Sequence, residues 1–181
     1  MKKRLFTEIP RIEGERIVLR PVVDTDADAL RDLVQDETVY RYLPTYLFER
    51  QFDDVRDAIR LLYADLYHNK ESLILGVSRV GDDELCGFCE LYGPREEADK
   101  ISLGYRFRQR FWGQGIATET VGLAVRWLYS ETTIELITAS TMIENLASAR
   151  VLEKNGFVRT VRAVEEDWGY EQPTLADKWF S

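Results

Sequence analysis

From Ser72 to Arg108 the helical spacing of apolar residues gives way to three short strand-like runs, and after Gly115 apolar residues again recur every third or fourth position. Three runs, "SLILGVSRV", "ELCGFCELYG" and "KISLGYRFR", read as strands separated by turn signals at "GDD" and "GPREEAD". Breaks that short suit antiparallel neighbours. The third run then passes through "RQRFWGQGIATE" into a segment where Ala117, Val121, Ala124, Val125 and Leu128 line one helical face. A meander of strands feeding a helix through two glycines needs a helix-covered sheet, because neither face of such a sheet can stay bare.

The flanking segments extend this pattern. "ERIVLRPV" (15–22) reads as a first strand, and "DTDADALRDLV" as a short helix with Asp24 or Thr25 at its N-cap. Phe52, Val55, Ile59, Leu62 and Leu66 give residues 51–68 one apolar helical face. "TIELITAST" is a strand, "NLASARVLEKNGF" a helix with Asn145 at its N-cap and Gly156 past its end, and "GFVRTV" with "TLADKWF" a closing hairpin. The expected order is β-α-α-β-β-β-α-β-α-β-β: an α/β (α+β) fold on a mixed sheet. With 181 residues and no linker-like or repetitive stretch, one domain spanning 1–181 is expected.

Charge narrows the partners. Thirty-two acids against 24 bases leave a formal charge of −8, which repels nucleic-acid phosphate and favours a cationic partner. "MKKRLFTEIP" is not followed by a signal-length apolar run, and no apolar stretch reaches about 18 residues, so a membrane partner is not expected and a cytoplasmic location is. Cys86 and Cys89 in "LCGFCEL" lie on a strand, not at a helix start, so opposite faces and a buried, non-redox role are expected. His68, near a helix end, reads as a complement to the helix dipole. No metal site is expected.

Gly113 and Gly115 between strand and helix let the backbone approach a ligand closely, and the following helix start offers unpaired N–H groups and partial positive charge. That is an anion site suited to a phosphate or pyrophosphate. Arg106, Arg108 and Arg110 alternate and would strengthen it from one strand face. A plain tight turn is the alternative. The third glycine of a dinucleotide fingerprint and the Gly-Lys-Ser/Thr of a P-loop are both missing.

"RQRFWGQGIATE" resembles the acetyl-coenzyme A motif of the GNAT N-acetyltransferases, with Arg110, Gly113 and Gly115 in its fixed positions, and "NLASARVLEKNGF" resembles the motif that follows. "ERIVLRPVVDTDADAL" is similar to the opening of the branch that contains the ribosomal-protein N-terminal acetyltransferases. The resemblance implies a mostly antiparallel sheet flanked by helices, with a splayed strand pair that holds acetyl-CoA. It implies cofactor contacts from the backbone of Tyr105 and Phe107, from Arg108, and from Arg110, Trp112, Gly113, Gln114, Gly115, Ile116 and Ala117 around the pyrophosphate. Asn145 would reach the pantetheine arm, and Ser148 would lie near the thioester sulfur.

The implied reaction is attack of a primary amine, on a protein N-terminus or a small molecule, upon the acetyl carbonyl. That amine must lose a proton, since its pKa is about 8 to 10.4. The departing thiolate benefits from a nearby donor, and the oxyanion from a backbone N–H. Two positions depart from the family's commonest pattern. Leu152 replaces the tyrosine often used as general acid, which moves that role to Ser148, although Ser148 could equally make room for the cofactor. Ser102 replaces a frequent carboxylate, so Glu90 is the first candidate base, with Glu166 and Asp167 as alternatives. Tyr40, Tyr42, Tyr46 and Phe48 would border the acceptor cleft or anchor its loop. A homodimer is compatible with the resemblance, as is a regulatory acyl-CoA-binding module without turnover.

Overall fold

The computed structural model describes residues 2–95 and 99–181. Eight strands form one sheet in the spatial order β1-β2-β3-β4-β5-β6-β8-β7. In chain order they are β1 (Ile12–Glu13), β2 (Ile17–Arg20), β3 (Ser72–Arg79), β4 (Asp82–Arg95), β5 (Lys100–Phe107), β6 (Leu136–Met142), β7 (Val158–Glu166) and β8 (Thr174–Phe180). Every neighbouring pair is antiparallel except β5 and β6, which run parallel. The turn expected at "GDD" is the β3–β4 connection, with Gly81 at φ 80°. Part of the turn at "GPREEAD" lies outside the described residues.

Helices cover both faces. α4 (Ile116–Glu131) and α5 (Leu146–Lys154) pack on one, where Val121, Ala124, Leu128 and Leu152 join Leu73, Leu75, Val77 and Leu91 of the sheet. α1 (Ala27–Gln35), the one-turn α2 (Glu37–Tyr40) and α3 (Val55–Leu61) cover the other, where Leu30, Leu33 and Ile59 meet Ile74 and Phe88. α3 starts at Asp54, whose side chain accepts from the Arg56 N–H, and runs into a π-helical turn over Leu62–Tyr67. The residues expected to form one helix up to His68 are thus divided.

Two local expectations are corrected. Asp24 and Thr25 lie in a 3₁₀ turn, and Asp26 occupies the α1 N-cap position without bonding the helix. Its buried carboxylate instead takes both arms of Arg20, each at 2.8 Å, and the Val23 N–H, because a buried guanidinium requires its counter-charge. Cys86 and Cys89 do not face opposite ways. The β3–β4 register slips between Val77 and Arg79, opposite residues 82–87, and both thiols enter the core under α4 and α5. Both are free and buried.

Candidate active site

β5 and β6 pair only from Lys100–Leu136 to Ser102–Thr138. Beyond that point β6 pairs with β8 alone, and the backbone of residues 103–107 has no registered partner on the β6 side. The two hydroxyls at the apex, Ser102 Oγ and Thr138 Oγ1, stand 3.0 Å apart. A cavity of about 920 Å³ opens along the separation and is lined from both faces of the sheet.

On the α4/α5 face the cavity meets the glycine turn. Gly113 has φ 71° and Gly115 φ 78°, a left-handed conformation that disfavours any side chain. The first helical bond of α4 runs from Glu119 N–H to Gly115 O, so the N–H groups of Ile116, Ala117 and Thr118 precede the helical ladder. Gly113, Gly115, Ile116 and Ala117 all line the cavity, as do Tyr105, Phe107 and Trp112. The Trp112 ring is half exposed, and its Nε1–H donates to Phe107 O at 2.8 Å.

The arginines are placed otherwise than expected. Arg106 and Arg108 share a strand face, but it is the α1–α3 face, away from the glycine turn. Arg108 reaches Asp32 and Glu84, and its N–H donates to Cys86 O at 2.9 Å, so its guanidinium is directed away from the glycine turn. Arg110 pairs with Glu84 at the surface. Gln114 lies outside the lining too: its side chain accepts from Arg79 and donates to Arg110 O, while its carbonyl accepts from Arg16. A buried guanidinium goes where a carboxylate can meet it, and residue alternation does not reveal where that is. Positive charge on this side of the cavity comes from Arg150 and Lys154 of α5, two residues that sequence reasoning missed. Their i, i+4 spacing puts them on one face and was the available signal.

α5 is fixed at both ends. Asn145 Oδ1 accepts from Ser148 N–H at 3.2 Å, as an N-cap does, and Gly156 closes the C-terminus at φ 81°. The Asn155 amide donates to Thr118 O and Val151 O, tying α5 to the first turn of α4. Ser148 therefore faces β5 in a held position. Its Oγ lies 2.6 Å from the Tyr105 hydroxyl. Burial pushes the Tyr105 phenol up and the Ser148 hydrogen bond draws it back, leaving it at about 12. Leu152, one turn further along α5, is buried and also lines the cavity.

The α1–α3 face carries the opposite charge. Glu90 accepts from Arg106 Nη1 at 2.8 Å and from the Ser72 hydroxyl at 3.2 Å. The other arm of Arg106 holds fully buried Glu49 at 2.5 and 2.8 Å, and Tyr40 donates to the same carboxylate at 3.0 Å. Nothing in the local sequence marks Glu49, whose partner is 57 residues away. The Arg106 guanidinium also lies over the rings of Phe48 and Phe88. Burial pulls its pKa down, but Glu49 and Glu90 outweigh burial and keep it charged. Two carboxylates around one guanidinium leave net negative charge at the cavity.

Further acids join this end. Glu165, Glu166 and Asp167 line the cavity with Tyr42, Tyr46, Tyr92 and Trp168. Burial pushes the Tyr46 and Tyr92 phenols up, and the neighbouring carboxylates Glu90 and Glu166 push the same way. Glu166 pairs with Lys178, and Asp167 accepts from Gly169 N–H. Thr45 N–H donates to Trp168 O at 2.9 Å and the Tyr170 hydroxyl to Leu43 O at 2.7 Å, joining the two loops across the mouth. Of the aromatic segment, Tyr40 and Phe48 are buried anchors, while Tyr42 and Tyr46 line the cavity.

Among the described residues no group of three or more His, Cys, Asp or Glu side chains could hold a metal ion, and no helix is long and apolar enough to cross a membrane.

The acetyltransferase (GNAT) domain family matches residues 16–158. An uncharacterised N-acetyltransferase of Bacillus subtilis (strain 168), YoaA, is 29% identical over 170 residues, covering 93% of each chain. A coenzyme A complex of RimL, a ribosomal L7/L12 α-N-protein acetyltransferase, has the same fold at TM-score 0.80 and 14% identity, covering 95% of this chain and 97% of that one. So does a spermidine N-acetyltransferase of Vibrio cholerae solved with coenzyme A and spermine, at TM-score 0.76 and 18% identity, covering 93% and 96%.

Proposed function

Because the chain belongs to the GNAT acetyltransferase family, as an acetyl-CoA-dependent enzyme acting on amines, we propose that residues 1–181 form one domain that acetylates the primary amine of a cationic acceptor. The observation that carries this reading is the division of one cavity between two charges. Free helix-start N–H groups with Arg150 and Lys154 lie on the α4/α5 face, and Glu90, Glu165, Glu166 and Asp167 lie at the α1–α3 end. An anionic cosubstrate suits the first and an ammonium group the second.

In this reading the pyrophosphate sits on the N–H groups of residues 113–118, and pantetheine pairs with the unpartnered edge of residues 103–107 near Asn145. The acetyl group then lies in the opening beside Gly104, where the strand neighbour is Glu90. Glu90 takes the acceptor's proton, directly or through water, and the aromatic rings of Tyr46 and Tyr92 receive the acceptor's apolar or cationic stem. Ser148 faces the departing sulfur. The RimL neighbour acts on a ribosomal-protein N-terminus and the Vibrio cholerae neighbour is seen with spermine. The acidic, aromatic mouth favours the polycationic kind of acceptor here.

Steady-state kinetics with linear amines of matched length, one series ending in a second ammonium and one in a neutral hydroxyl, tests the acceptor class. The reading predicts kcat/KM at least tenfold higher for the diamines, a difference that shrinks in Glu166→Gln and Asp167→Asn. Equal kcat/KM for both series, or a preference for the neutral tail, would overturn it.

A further inference from the structure

The acetyl-transfer reading leaves one member of a close pair of cavity groups, the Tyr105 hydroxyl, without a role. Tyr105 stands on β5 past the point where β5 leaves β6, with its hydroxyl 2.6 Å from Ser148 Oγ and 3.3 Å from Ser148 O. We propose that Tyr105 is the positioning residue that aims the Ser148 hydroxyl proton at the coenzyme A sulfur. The inference rests on the acetyl-transfer reading and adds to it a residue whose side chain, unlike its backbone, that reading does not use.

A serine hydroxyl on a helix surface can rotate among three staggered positions and can give its single proton to any nearby acceptor. Alone at the cavity wall, Ser148 would divide that proton among water and carbonyl groups. Either hydroxyl could donate across the 2.6 Å contact; the donation is assigned to Tyr105, because the phenol is the more acidic of the two and the alkyl oxygen the better acceptor. Ser148 then has its own proton free, directed away from Tyr105 and into the cavity that both residues line. The backbone is fixed as well, since Asn145 caps the Ser148 N–H and Asn155 ties α5 to α4. Burial keeps the phenol protonated across the working pH range, so its donation does not switch off. Leu152, on the same helical face one turn on, has no proton to offer, and no second hydroxyl from α5 enters the arrangement.

The step balances without net transfer from either hydroxyl. The acceptor nitrogen bonds to the carbonyl carbon, the carbon–sulfur bond breaks and its electron pair stays on sulfur. Glu90 takes the ammonium proton before attack, directly or through water, and the second proton, shed by the nitrogen after attack, leaves through water to solvent. The Ser148 O–H holds the thiolate by a charge-assisted hydrogen bond until it leaves and takes a proton from solvent.

Tyr105→Phe keeps the ring and removes only the hydroxyl, and Ser148→Ala removes its partner. Turnover is measured as coenzyme A release with a saturating amine, and thermal unfolding is followed alongside. The proposal predicts a kcat loss of about tenfold in Tyr105→Phe and a larger one in Ser148→Ala, with the KM for acetyl-CoA within twofold. The double variant should be no slower than Ser148→Ala alone, because Tyr105 acts only through Ser148. A packing role would instead lower the melting temperature, raise KM and multiply in the double variant, and that result overturns the proposal. Unchanged kcat in Tyr105→Phe overturns it as well. Absence of turnover by the unaltered protein would overturn the acetyl-transfer reading itself, and the proposal with it.

Discussion

The Ser102 hydroxyl lies 3.0 Å from that of Thr138 at the last residue pair that β5 and β6 share. The gap that begins there joins the two faces of the sheet. A bulky side chain just past the apex should crowd the point where acceptor and acetyl group meet. Gly104 is two residues on, paired with Glu90, and a Cβ there would meet the Tyr92 ring at 3.4 Å, ordinary contact. Gly104→Val is expected to raise the acceptor KM roughly tenfold or more, about 1.4 kcal/mol of lost binding, and to lower kcat by crowding the acetyl group. Initial-rate measurements with each substrate varied in turn decide it.

The glycine turn should carry cosubstrate affinity. Gly113 at φ 71° has open space where a Cβ would stand, so Gly113→Ala costs only backbone strain of about 1–2 kcal/mol. If that strain is relieved by rotating the turn, the N–H groups lose their aim. Coenzyme A titrated calorimetrically should bind about tenfold more weakly, with the acceptor KM unchanged.

Removing the buried carboxylate beneath Arg106 should destabilise the fold far more than removing a surface acid. Glu49→Ala strips the guanidinium of its two-point partner and leaves Tyr40 without an acceptor. A loss of about 3–5 kcal/mol is expected in denaturant unfolding. Asp57→Ala, which breaks an exposed pair with Arg60, should change stability by less than about 1 kcal/mol.

The cysteines should be inert in the folded protein. Burial pushes the Cys89 thiol up to about 12, with Glu90 adding to it, and burial raises Cys86 as well. The thiolate is the nucleophile, so at pH 8 alkylation by iodoacetamide should proceed only as fast as the protein unfolds. Rapid labelling of both residues under native conditions would revive a redox role.

These expectations rest on features of unequal legibility. The strand-like apolar runs and the turn signals and glycines between them located β3, β4, β5 and α4, since composition, turn residues and positive φ are local properties. Asn145 and Gly156 marked the ends of α5 for the same reason. The parallel pairing of β5 with β6, and its end at Ser102, left no such mark, because register is set by segments 36 residues apart. Arg106 and Arg108 show the limit most plainly. Alternation put them on one face, but only the packing of α1 and of Glu49 from the distant 3₁₀ turn at Phe48–Arg50 determines what that face meets. The β3–β4 register slip beside Cys86 was invisible for a related reason, since register is defined only against the neighbouring strand.

The most direct test of acetyl transfer to a cationic amine is release of free coenzyme A thiol from acetyl-CoA by the folded protein. The panel holds polyamines, aminoglycosides, ribosomal-protein N-terminal peptides and free amino acids, with a no-acceptor control. Release above the control is predicted with amines carrying a second positive charge, and loss of that release in Glu90→Gln. Binding of acetyl-CoA without release for any amine in the panel would contradict it.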